Sequence, residues 1–62
     1  MKFSELKKVL RKNGCYLLKE GSKHEIWYSS ITNDSFTVGR HSTEDVKKGT
    51  LNSILSKSGI KL

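Results

Sequence analysis

Two apolar stripes at helical spacing, one near each end of the chain, constrain this sequence more than any other feature. Phe3, Leu6, Val9 and Leu10 recur at three and four residues, as do Leu51, Ile54 and Leu55, which puts each set on one side of a helix. Such stripes hold a helix together in water only when something covers them. Between them lie three short runs, Cys15–Lys19, Lys23–Ser30 and Ser35–Gly39. The second is rich in the β-branched and aromatic residues that suit a pleated surface, and all three read as strands. Polar turns at Glu20-Gly21-Ser22 and Thr32-Asn33-Asp34-Ser35 join them closely, so the strands form an antiparallel meander. One face of that sheet is the only surface able to bury both stripes. The expected fold is α+β, in the order α-β-β-β-α, with both helices on one face of a three-stranded antiparallel sheet.

The punctuation agrees with this order. The first helix is expected over Met1–Asn13, with Ser4 as N-cap, Glu5 in the first turn where the helix dipole favours negative charge, and Gly14 as the left-handed residue that ends it. Lys7, Lys8, Arg11 and Lys12 are expected on its solvated faces. Arg40 to Gly49 reads as a charged loop. The last helix is expected from Thr50 to Gly59, with Ile60 as the apolar residue of a Schellman ending. The 62 residues read as one small domain, 1–62, which buries only about 60 % of the surface exposed by its unfolded form. Its lone cysteine, Cys15, cannot form an internal disulfide and reads as a small buried apolar residue.

Twelve Lys and Arg against six Asp and Glu give a formal charge of +6. A field of that size on a small body attracts polyanions: nucleic acid, an acidic protein or an anionic membrane. No apolar run approaches the ~20 residues needed to span a bilayer, and no signal-peptide core is visible. The expectation is a cytosolic protein with no membrane partner, no cofactor and no metal, since no Cys/His cluster has zinc spacing.

The stretch Gly21-Ser22-Lys23-His24-Glu25-Ile26-Trp27-Tyr28 carries the sharpest candidate. Histidine exchanges a proton near neutral pH, which suits the general acid–base chemistry of RNA cleavage. His24 can take a proton from a 2′-hydroxyl so that its oxygen attacks the adjacent phosphate, while a cation steadies the developing charge. A solvated histidine is the plain alternative. His41 is a second candidate, for phosphate contact or an auxiliary part in the chemistry. Lys23, Arg40, Lys47 and Lys48 are candidate phosphate contacts, the last two because they precede the N-terminus of the final helix. Strand alternation places His24, Ile26 and Tyr28 on one face and Lys23, Glu25 and Trp27 on the other. If His24 faces solvent, Ile26 and Tyr28 do so too, forming a patch for a protein partner or stacked bases. A β-bulge returning Ile26 to the core is the alternative.

The whole pattern resembles the HicA-type toxins of bacterial toxin–antitoxin pairs. The matching pieces are Ser4-Glu5-Leu6 with Leu10 and Asn13-Gly14, then Gly21-Ser22-Lys23-His24 and Val38-Gly39-Arg40-His41. Gly49-Thr50-Leu51-Asn52-Ser53-Ile54-Leu55 with Ser58-Gly59-Ile60 completes the set. The resemblance implies a fold like that of double-stranded-RNA-binding domains and a metal-independent mRNA interferase, neutralised by a HicB-type antitoxin. It places the active histidine at His24 and fits Ile26 and Tyr28 to an antitoxin contact. Lys23 stands between Ser22 and His24 where many relatives have the histidine directly after Gly-Ser. Gly39 stands where the family's usual Pro-Arg-His has proline. A small RNA-binding module without catalysis is the other reading, and an interaction protein serving an acidic antitoxin is a third.

Overall fold

The computed structural model describes residues 1–62. Its elements are α1 (Phe3–Lys12), β1 (Cys15–Glu20), β2 (His24–Ser29), β3 (Asp34–Gly39) and α2 (Lys48–Ser58). The strands form one antiparallel sheet in the order β1-β2-β3, and both helices pack on it. This is the expected α-β-β-β-α arrangement.

Both helix starts differ from expectation. Lys2, rather than Ser4, is the N-cap of α1. A side-chain cap is unnecessary because loop carbonyls satisfy the free N–H groups: Phe3 donates to Glu44 at 3.0 Å and Ser4 to Ser42 at 3.1 Å. Glu5 closes the turn by accepting the Lys2 N–H at 3.0 Å. The same contacts tie the 40–47 segment to the start of the chain, with Val46 donating to the Met1 carbonyl at 2.8 Å. Helix α2 begins two residues earlier than Thr50, the Lys47 carbonyl accepting the Leu51 N–H at 2.8 Å. Its end is the simpler left-handed ending rather than a Schellman motif. Gly59, at φ 76°, donates to the Leu55 carbonyl, while the Ile60 N–H turns to Ser58 Oγ at 3.4 Å.

Register decides the faces. In β2, Glu25, Trp27 and Ser29 are buried while His24 and Ile26 are exposed. Trp27 is wholly inaccessible and sits among Phe3, Leu6, Leu10, Cys15, Phe36, Val38, Val46, Ile54 and Ile60. A bulge does occur, but in β1: Leu17 faces Trp27 and Lys19 faces Ile26, so Leu18 is the extra residue. Inserting a residue in β1 changes which β1 side chains cross the sheet and leaves the alternation of β2 intact. Ile26 therefore stays outside.

Lys7 is not on a solvated face. It is buried and pairs with Glu25 at 3.1 Å, Nζ to Oε1. The indole Nε1 of Trp27 donates to the same oxygen at 3.1 Å, and the Arg11 guanidinium lies 5.1 Å from the Trp27 ring centroid. A carboxylate on the inner face of β2 is thus provided with charge-assisted donors, without which its burial would be costly.

Candidate active site

The β1–β2 turn presents His24. The Gly21 N–H donates to the His24 carbonyl at 2.8 Å. A Cβ at Gly21 would lie 2.7 Å from that same oxygen, so only glycine allows the chain to close here. Arg40, just past the end of β3, braces the turn: its Nη1 donates to the Gly21 carbonyl at 3.1 Å and its N–H to the Lys23 carbonyl at 3.4 Å. The family-like Gly-Ser-Lys-His and Gly-Arg-His pieces are therefore two halves of one structure.

His24 lies on the rim shared by two surface depressions. One is lined by Lys23, His24, His41, Lys47, Glu44 and Asp45, with Phe3, Thr37, Gly39 and Thr50. The other runs past Lys19, Gly21, Ser22 and Lys23 to Ile26 and Thr37. The fold therefore brings Lys23, His24, His41 and Lys47 to one place from two separate parts of the chain. Arg40 is engaged in the turn, and Lys48, in the first turn of α2, lines neither depression.

Three further residues belong to this place. Thr37 lines both depressions beside His24; it is exposed on β3 and opposite Ile26 in register. Alternation along β3 is the signal that could have found it, once the register with β2 was known. Glu44 and Asp45 bring carboxylates into the histidine-bearing depression, and neither forms an ion pair, since the chain's one salt bridge joins Lys7 to Glu25. Nothing in a charged loop sequence announces that position. The imidazoles of His24 and His41 make no hydrogen bond within the chain. No three His, Cys, Asp or Glu side chains are grouped so as to hold a metal ion.

A family model described as HicA toxin of bacterial toxin-antitoxin matches residues 3–60. The chain belongs to the HicA toxin family. Neither a curated protein nor a solved structure matches it. Membership of this HicA family brings a toxin role and an antitoxin partner. No helix of this HicA chain is long and apolar enough to cross a membrane.

Proposed function

We propose that this HicA-family chain is a cytoplasmic endoribonuclease that cleaves mRNA without a metal ion, and that a HicB-type antitoxin neutralises it. His24 is the general acid–base group. It accepts the proton of a ribose 2′-hydroxyl, whose oxygen forms a bond to the adjacent phosphorus. The bond from phosphorus to the 5′-oxygen then breaks. A proton returns to the departing oxygen, leaving a 2′,3′-cyclic phosphate and a 5′-hydroxyl. His41, on the wall of the same depression, is the second group able to carry a proton.

Lys23 and Lys47 hold the phosphate and stabilise the negative charge that grows on it. Arg40 uses one N–H on the turn and keeps others for phosphate, since a guanidinium has five. Lys48 is an outlying phosphate contact. Ile26, 37 % exposed, and the half-buried Tyr28 lie on the face that bears His24; an antitoxin seated on them covers the histidine as well.

One observation carries this reading: an exposed histidine at the rim of a depression that also gathers a second histidine and two unpaired lysines. Incubation of the purified chain with an end-labelled transcript in EDTA tests it. Discrete fragments bearing cyclic phosphate are expected. A retarded band with an intact transcript would instead establish a non-catalytic RNA-binding module. That second reading is favoured by the lack of any internal partner orienting the His24 ring, a feature that histidine catalysts commonly have.

A further inference from the structure

The open face of the sheet carries two tyrosines that the chemistry at His24 does not use. Tyr16 on β1 and Tyr28 on β2 are register partners, with ring centroids 5.5 Å apart and planes inclined at 45°. Tyr16 is 50 % exposed. The Tyr28 hydroxyl donates to Asn33 Oδ1 at 3.2 Å, which holds its ring from the β2–β3 turn. A held aromatic pair that stands outside the core offers π surface at little further cost in side-chain entropy.

The pair shares its strand face with His24. Tyr28 stands four positions along β2 from His24, about 13 Å at the strand rise of ~3.3 Å per residue. Ile26 lies between them, with Lys19 and Thr37 opposite it on either side. The depression running from His24 as far as Ile26 carries two lysines and no carboxylate. The depression on the other side of His24 sets Glu44 and Asp45 against Lys23 and Lys47. A polyphosphate chain at the histidine therefore meets net positive charge over Ile26, on the side of the tyrosines, and offset charges on the other side.

We infer that this face binds single-stranded RNA, with Tyr16 and Tyr28 stacking unpaired bases while Lys19 and Lys23 hold the phosphates that lead to His24. The inference rests on the ribonuclease reading above and specifies its substrate as unpaired RNA rather than duplex. Bases in a duplex are stacked on one another and out of reach of side-chain rings, whereas a splayed strand presents them. A splayed strand advances by more than the ~3.4 Å per nucleotide of a stacked duplex strand, so the interval of about 13 Å holds fewer than four nucleotides. The stacked bases therefore lie close to the scissile phosphate. Every base has a π face, so this contact selects for strandedness more than for sequence.

The test reads binding and cleavage separately. Binding is measured in a His24→Ala background, by titration with oligouridylate carrying one 2-aminopurine and with the same strand annealed to its complement. The single strand is expected to bind at least about tenfold tighter than the duplex, with quenching of the 2-aminopurine emission. Tyr16→Ala should loosen the single strand by about tenfold and abolish the quenching, whereas Tyr16→Phe should preserve both. Equal single-strand affinity with and without Tyr16→Ala, or a preference for duplex, overturns the inference. So does a Tyr16→Ala chain that keeps its RNA affinity and loses only antitoxin binding, because the face would then belong to the protein partner. Cleavage is scored with His24 present. Tyrosine-dependent binding by a chain that cuts nothing would uphold the stacking inference and refute the ribonuclease reading.

Discussion

Lys7 of α1 reaches Glu25 of β2 at 3.1 Å, a buried ion pair one residue away from the exposed His24. Burial alone pushes the Glu25 carboxyl up. The Trp27 N–H and Lys7 hydrogen bonds, then the Lys7 and Arg11 charges, more than reverse this and hold it below its ordinary 4.5. A depressed folded-state value means the unfolded chain binds the proton more readily, so the contribution is present above the ordinary value and lost as pH falls through the folded one. Melting temperature should therefore drop as pH is lowered below about 4.5. Glu25→Gln should flatten that part of the profile. An unchanged acid limb in the variant would remove Glu25 from the account.

Lys7→Met removes one partner and leaves the carboxylate buried. Breaking such a pair from one side costs about 3 kcal/mol. Urea denaturation at neutral pH measures it. A loss below about 0.5 kcal/mol, the size of an ordinary surface change, would mean that the pair is solvated in solution.

Gly39 is a packing glycine. A Cβ there would lie 2.8 Å from Phe3 Cζ and 3.1 and 3.2 Å from the two Cε atoms. The absence of a side chain lets the Phe3 ring lie against the backbone. Gly39→Ala should cost about 1–3 kcal/mol through overpacking. Cleavage should fall with it, because Gly39 is the register partner of His24. Adding Phe3→Leu should recover part of the stability, a non-additivity that a double-mutant cycle detects.

Ser29 fastens the end of β2 to the end of α2. Its hydroxyl is fully buried, donates to the Ser58 carbonyl at 2.6 Å and accepts the Ile31 N–H at 3.2 Å. Ser29→Ala leaves the Ser58 carbonyl and the Ile31 and Thr32 N–H groups without that hydroxyl and should cost about 1–3 kcal/mol. Faster amide exchange in the last turn of α2 should accompany the loss, since local opening there no longer breaks this bond.

His24→Ala should lower RNA cleavage by at least about 100-fold, the lower range for loss of a general acid–base group. Stability should change by no more than about 0.5 kcal/mol because the side chain is exposed. Growth inhibition should vanish while antitoxin capture persists. Undiminished toxicity in this variant would refute the assignment.

Lys23→Gln and Lys47→Gln should each weaken RNA binding at low salt with little regard for sequence. Each should also reduce the slope of log affinity against log salt by about 1. Slopes equal to that of the parent would place these lysines outside the phosphate path.

The helices were legible because their signals are local: apolar residues three and four apart, with glycine at 14 and 59 to end each run. The strand alternation of β2 was legible as two opposite possibilities, Trp27 inward or Ile26 inward. The choice came from pairing with β1 and β3, which placed the bulge at Leu18 rather than in β2. The helix starts were misplaced for a related reason. The groups that satisfy the first N–H groups of α1 belong to residues 42 and 44, far outside any local window.

His24 stands out as a residue type in a basic chain, but its neighbours do not. Arg40 at the turn, Lys47 and His41 in the same depression, Thr37 across the strand and two carboxylates in the loop are joined by long closures. Local propensity says nothing about such closures. Sequence alone therefore determined the order of elements, the positive field and the histidine to watch, since each depends on residue type and short-range periodicity. Only the tertiary structure decided that Lys7 is buried against Glu25, that the tyrosine pair shares the histidine's face, and which cations surround that histidine. Those facts depend on register and on which distant backbone groups complete each other's hydrogen bonds.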